Sequence, residues 1–213
     1  STARMVGTAY SPVAAGSPGP LARKTPSGLR AMTSSLVAVG GSTVVVKRAK
    51  RICAQADRDG TDPTAPADPA HLTYYTLHQT TPFTRATAEV TNELGTVTVT
   101  LAKPDRLLVP TAKRLDAPPG PLPPSIDHYK CYRLSAARTR ASGLAITDQF
   151  GSITIDVKRP LHVCLAASLD GSPIPVPGSS LACYLIRGTR PAAPPPIVYT
   201  HDTFGPDQYG FFG

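Results

Sequence analysis

Four cysteines, five histidines and one acidic loop carry most of the chemistry written into this 213-residue chain. The cysteines are Cys53, Cys131, Cys164 and Cys183, and no Cys-x-x-Cys occurs, which removes the usual motif for covalent haem attachment. Wide spacing of this kind suits disulfides, and disulfides belong to an oxidising compartment. Asp57-Arg-Asp59-Gly60-Thr-Asp62 sets alternate carboxylates before a glycine, a pattern that converges on calcium in some loops. A plain Asp-Gly turn is the other reading of Asp57, Asp59 and Asp62, and it needs no metal. The histidines are His71, His78, His128, His162 and His201. No Gly-x-Ser-x-Gly, His-Glu-x-x-His, phosphate loop or dinucleotide fingerprint accompanies them, so neither catalysis nor a cofactor is expected.

These residues sit in a repeat. The template runs from His128 to Cys164: His-Tyr-Lys-Cys-Tyr-Arg-Leu, a loop, Asp148-Gln-Phe-Gly151, then Ser-Ile-Thr-Ile-Asp-Val-Lys-Arg-Pro-Leu-His-Val-Cys. His71-Leu-Thr-Tyr-Tyr-Thr-Leu77 lies over its start and Asn92-Glu-Leu-Gly95 over its turn. Gly151 to Cys164, Gly95 to Leu108 and Gly40 to Cys53 are each thirteen positions, so no gap is needed. The stretch from Gly40 to Cys53 is a second half without its first. Leu181-Ala-Cys-Tyr184 and His201-Asp-Thr-Phe-Gly205 form a first half without its second. The order is half, whole, whole, half, and self-similarity at a fixed period outranks local propensity. His71 and His128 share one repeat position, which marks them as structural.

Composition says what builds the repeat. Twenty-four prolines, seventeen glycines and no tryptophan favour short strands joined by stiff turns. The predicted fold class is all-β, in tandem sandwich-like or barrel-like units of about 55 residues. Predicted strands cover Leu36–Val39, Ser42–Val46, Thr73–His78, Ala86–Thr91, Thr96–Leu101 and Arg106–Val109, then Tyr129–Leu134, Leu144–Thr147, Ser152–Val157 and Leu161–Leu165. Val97 and Val99, like Ile153 and Ile155, alternate with polar neighbours, so one face is buried. Phe150 and Phe204 are expected to plug the core at glycine-closed turns. The divisions are an extended arm over 1–33, the orphan second half over 34–62, complete units over 63–117 and 118–172, and the orphan first half with a tail over 173–213.

The net charge of +8 is scattered, with no arginine-rich run or aromatic platform, so nucleic acid is not an expected partner. No apolar run reaches the eighteen residues of a membrane helix. Ser1 opens no secretory leader, so a mature secreted form is expected, extracellular or on the cell surface.

Four cysteines allow three pairings, and the repeat separates them. The second unit has both Cys131 and Cys164, whereas the first has Tyr74 and Leu108 in their places. A pair lost together is most simply a pair bonded together. Cys53 and Cys183 then remain, one in each orphan half, and the template would join them. The rival scheme bonds each Lys-Cys-Tyr-type cysteine to the preceding unit's cysteine.

The His-x-Lys-Cys-Tyr segment, the Asp-Gln-Phe-Gly turn and the Pro-x-x-Leu-Cys-type segment together resemble an uncharacterised family of secreted bacterial tandem-repeat proteins. The match is clearest over His128 to Cys164 and partial over 36–110 and 181–205. The resemblance implies an extracytoplasmic β-rich protein and no activity.

Where the halves meet sets the function. Halves supplied by neighbouring chains would give an extracellular filament of identical subunits, completed head to tail and locked by Cys53 to Cys183. The interface residues would be Gly40, Thr43, Val44, Val45, Val46, Leu181, Tyr184, Phe204, Tyr209, Phe211 and Phe212. Proline-rich connectors, the N-terminal arm and the apolar tail favour that filament. Halves meeting in one chain would instead give a closed, trefoil-like monomeric binding module, with glycans as ligands and recurring tyrosines (Tyr75, Tyr132, Tyr184) to stack on them.

Overall fold

β-branched residues dominate the stretches that become strands, and turns fall at glycine and Asx positions. A computed structural model of the chain describes residues 35–120, 126–137, 140–188 and 197–210. The strands are β1 (Ser35–Val39), β2 (Ser42–Cys53), β3 (Asp57–Arg58), β4 (Ala70–Gln79), β5 (Ala86–Asn92) and β6 (Gly95–Arg114). They continue with β7 (His128–Ala136), β8 (Ala141–Asp148), β9 (Gly151–Ala167), β10 (Ser180–Gly188), β11 (Ile197–Asp202) and β12 (Gly205–Gly210). One 3-10 turn, Ala65–Ala67, is the helical element among the described residues. The protein is all-β, as its sequence predicts. The arm over 1–33 and the tail residues Phe211 and Phe212 lie outside the described residues.

All twelve strands belong to one open antiparallel sheet, in which β2, β4, β6, β7, β9 and β10 run side by side. Successive units therefore share a sheet instead of each building its own. The register supports the repeat alignment, because Cys53 pairs Leu72, Leu108 pairs Tyr129 and Cys164 pairs Leu181. The hairpin turns repeat as well: Asn92, Asp148 and Asp202 each accept, on Oδ1, the backbone N–H two residues on, at 2.9, 2.7 and 2.8 Å. Gly95, Gly151 and Gly205 follow at φ 108, 127 and 106, which a side chain would strain. The first hairpin departs from this pattern. It closes at Val39 and Ser42 around Gly40-Gly41, so Gly40 is a loop residue and the hairpin is two residues shorter than the thirteen-residue spacing suggests.

The predicted strand pairs Thr96–Leu101 with Arg106–Val109, and Ser152–Val157 with Leu161–Leu165, are single long strands. Pro104 and Pro160 do not end them. Each proline sits where the register slips, between Leu101 and Arg106 on β6 and opposite Tyr184 on β9. A bulge leaves a ladder hydrogen bond unmade, so a residue without an N–H costs little there. β2 slips at the same place, between Val46 and Ala49, without a proline. At these slips the long strands trade partners: β6 pairs β5 through Gly95–Leu101 and β4 from Arg106 onward. β9 pairs β8 through Gly151–Val157 and β7 from His162 onward.

The interior falls into clusters that mix the units. One unites Val37, Val39, Val44 and Val46 of the first hairpin with Tyr75, Leu77, Leu107 and Val109, and Phe204 from the far end of the chain packs against it. Another gathers Cys53, Leu72, Leu108, Tyr129, Cys131, Cys164 and Leu181, with Cys183 at its margin. Val99 and Ile155 are nearly inaccessible while Thr98 and Thr154 are exposed, so the predicted alternation holds. Phe204 does plug the core, against Tyr75 at 5.0 Å between ring centroids. Phe150 lies beneath the Lys113 ammonium at 4.8 Å, a cation–π contact.

Candidate functional site

The four cysteines converge. β7 and β9 are neighbours, and their paired residues Cys131 and Cys164 form a disulfide. The pairing inferred from joint loss in the first unit is therefore the pairing found. Cys183 on β10 places its Sγ 3.8 Å from the Sγ of Cys164. Cys53, at the end of β2, is buried in the same cluster. Both Cys53 and Cys183 are thiols in the structure, so the predicted bond between them is not formed there. Burial pushes each thiol up to about 12, and for Cys183 the neighbouring Cys53 adds to that rise. The two residues thus share one cluster, although they come from opposite halves of the chain.

The residues expected at a polymer junction are mostly interior to this one chain. Val44, Val46, Leu181 and Tyr209 are buried, and Phe204 is partly buried against the first hairpin. Gly40 and Thr43 are exposed and Val45 half-buried, while Tyr184 accepts a hydrogen bond from Asn92 Nδ2 at 2.6 Å. Apolar residues in a β-hairpin find cover wherever an apolar face is offered, and here β4, β6 and the C-terminal half offer it.

Side chains tie both end segments down. Lys130 reaches the first hairpin turn, donating to Val39 O at 3.2 Å and to Ser42 Oγ at 2.8 Å. Tyr75 donates to Asp202 Oδ2 at 2.7 Å and so holds the last hairpin turn. Sequence reasoning missed both. The Lys of the His-Tyr-Lys-Cys motif was the visible signal for the first, since a lysine between two core positions of a strand needs a partner.

The acidic loop is a turn, used as a clasp. Asp59 N donates to Ala145 O at 2.9 Å, and Asp59 Oδ1 accepts from Ala145 N at 2.8 Å. Asp57 Oδ1 accepts from Asp62 N, and Asp62 Oδ1 accepts from Thr64 N and Oγ1. These three carboxylates thus cap backbone and hydroxyl groups, and no group of three or more ligating side chains suited to a metal is found among the described residues. Asp170, the cognate residue, makes the same two bonds to Ala38: its N–H donates to Ala38 O at 2.8 Å, and its Oδ1 accepts from Ala38 N at 2.7 Å.

The histidines have separate surroundings. His71 is buried, and burial first, with Lys113 second, lowers it to about 3, so it is neutral at physiological pH. His162 meets Asp105 Oδ1 at 3.0 Å, His128 meets Thr203 Oγ1 at 3.1 Å, and His201 meets Pro119 O at 3.1 Å. His71 and His128 occupy one repeat position at the start of β4 and β7, His71 buried and His128 beside the Thr203 hydroxyl. Of the recurring tyrosines, Tyr75 is buried, and Tyr132 is half-buried beside Phe83, their ring centroids 5.5 Å apart.

A family model described as a repeat of unknown function (DUF7450) matches residues 71–189, more than half of the chain. The chain belongs to that family. The matched span opens within β4 and ends just past β10. No curated protein and no solved structure matches the chain. Among the described residues no helix is long and apolar enough to cross a membrane.

Proposed function

We propose that this DUF7450 chain is a secreted, non-catalytic binding module that closes upon itself through its two ends, with saccharides as its ligands. The observation that carries this reading is the meeting of Cys53 and Cys183 in one chain's sulfur cluster. Phe204 packing against the first hairpin supports it independently. A chain whose orphan halves complete each other leaves little apolar surface for a second copy to cover. The Cys131–Cys164 disulfide supports an oxidising, extracytoplasmic setting. Half-buried Tyr132 beside Phe83 supports a stacking platform for sugar rings.

The filament is the second reading, and one observation favours it. The outer edges of β2 over 47–53 and of β10 have no strand partner among the described residues. Exchange of ends between neighbours would keep every cluster described above while linking chains head to tail.

Gel electrophoresis without and with reductant, followed by mass mapping of the peptide joined to Cys53, separates the two. The closed module gives one band at 22.3 kDa in both lanes, with any Cys53 link reaching Cys183 of the same chain. A ladder that collapses on reduction, with Cys53 linked to Cys183 of another chain, would replace it with the filament.

A further inference from the structure

β9 trades β7 for β8 at its bend, and the trade leaves a notch. β7 pairs it from His162 onward and β8 up to Val157, so on that side Lys158 to Leu161 have no strand beside them. Beside this bend lies a groove of about 470 Å³, lined from the start of β8, from β9 and from β10 by Arg140, Ser142, Asp156, Lys158, Arg159 and Leu185 among others. That volume lies in the range of small-ligand sites.

The charge in the groove is fixed in an uneven way. Asp156 is its one carboxylate, and it is already engaged: Oδ2 accepts from Lys158 Nζ at 3.0 Å and Oδ1 from Gly143 N at 3.3 Å. Those bonds, with Arg187 nearby, hold the Asp156 carboxyl below its usual range, so it stays ionised and committed to Lys158. Arg140 and Arg159 are left facing the groove with no carboxylate partner among the described residues. A guanidinium offers a planar fork that matches a carboxylate or sulfate with two parallel hydrogen bonds. Leu185, 37% exposed, adds an apolar wall, and Ser142 a hydroxyl. An oxyanion on a ring with one apolar face fits that combination of groups.

We infer that this groove binds the acidic group of an anionic saccharide, the Arg140 and Arg159 side chains gripping its carboxylate or sulfate while Leu185 flanks the sugar ring. The inference rests on the binding-module reading and names its ligand class. Repetition of Lys47-Arg48 at the cognate bend of β2 shows that the repeat builds basic bends more than once.

Titration calorimetry of the full chain tests it with three probes: a galacturonate tetrasaccharide, a sulfated tetrasaccharide and neutral maltotetraose. Either or both acidic probes should bind, more weakly as salt rises, and the one that binds identifies the acidic group. The Arg140→Ala/Arg159→Ala double variant should lose at least about tenfold in affinity, the scale of one charge-assisted contact. Arg114→Ala, whose guanidinium pairs Asp116 elsewhere, should not change it. Both Arg140 and Arg159 are exposed, so unchanged circular dichroism is expected of the double variant. Maltotetraose binding equally well, with the double variant unaffected, would sink the groove and leave the binding module standing. Failure of both acidic probes to bind would also sink the groove, and the gel experiment would still decide closure on its own.

Discussion

Cys183 Sγ stands 3.8 Å from Cys164 Sγ, a thiol in contact with a disulfide that it does not share. Thiol–disulfide exchange needs the thiolate, and burial holds both Cys183 and Cys53 up near 12. At pH 7 the folded chain should therefore keep Cys131–Cys164 intact and react slowly with iodoacetamide. In 8 M urea Cys53 and Cys183 should both label within minutes. Rapid labelling of the folded chain would contradict the burial, and no labelling even in urea would show that the two are already joined.

Removing one partner should redirect the bond. In Cys131→Ser, Cys164 loses its mate and has Cys183 as its nearest sulfur, so peptide mapping after air oxidation should find Cys164–Cys183. A Cys53–Cys183 bond in that variant would mean that Cys53, in the same cluster, captures Cys183 before Cys164 does. The native disulfide spans a sequence separation of 33 residues, so its loss should cost about 3 to 4 kcal/mol on the chain-entropy account. Urea unfolding of Cys131→Ser/Cys164→Ser measures that cost, and a loss under about 1 kcal/mol would count against it.

Acid should destabilise the fold through His71. Its folded value is lowered to about 3, whereas the unfolded imidazole titrates near 6.5. Between those values the unfolded chain binds the extra proton, so stability is full above pH 6.5 and falls as pH drops toward 3. Urea midpoints at pH 7 and pH 4 should differ in that direction, by a few kcal/mol in free energy. His71→Gln should flatten the dependence. An unaltered slope in that variant would assign the acid sensitivity to another group. Lys113, lowered to about 8 by burial, acts in a separate window, adding stability as pH rises from about 8 toward 10.5.

Much of this architecture is legible in the sequence because the chain repeats itself. Alternation at Val97 and Val99, or Ile153 and Ile155, gives the buried face, and joint absence of two cysteines from one unit gives the disulfide. Two kinds of feature were hidden. Pro104 and Pro160 read locally as strand ends, yet a tertiary bulge absorbs the missing N–H and makes one strand of two. β3 and β12 are short edges whose partners, β8 and β11, complete them; nothing in Asp57-Arg58 itself requires a strand. The groove at the β9 bend was illegible for a related reason, since Arg140 and Arg159 meet only through the partner exchange along β9.

Calcium should leave the fold unaffected, because Asp57, Asp59 and Asp62 spend their oxygens on backbone and hydroxyl donors. Melting curves in 5 mM calcium and in excess chelator should coincide. A rise of several degrees with calcium would restore the loop as a metal site.

Asp59 and Asp170 make a more local prediction. Each adopts a left-handed backbone, φ 52 and 49, before a glycine, and each closes a two-bond clasp on a neighbouring strand, β8 and β1 respectively. The Asp170 clasp is what fixes the first hairpin beside the end of β9, where Val39 also bridges Leu169. Asp170→Ala removes the side-chain acceptor and places a less tolerant residue at positive φ, so it should cost about 1 to 3 kcal/mol. Asp170→Asn keeps an acceptor oxygen on a residue that tolerates the left-handed region, so it should recover most of that loss. Hydrogen exchange at the Ala38 amide reports the clasp directly, and it should accelerate in the alanine variant alone. Equal acceleration in both variants would mean that the carboxylate charge, and not the hydrogen bond, holds the first hairpin in place.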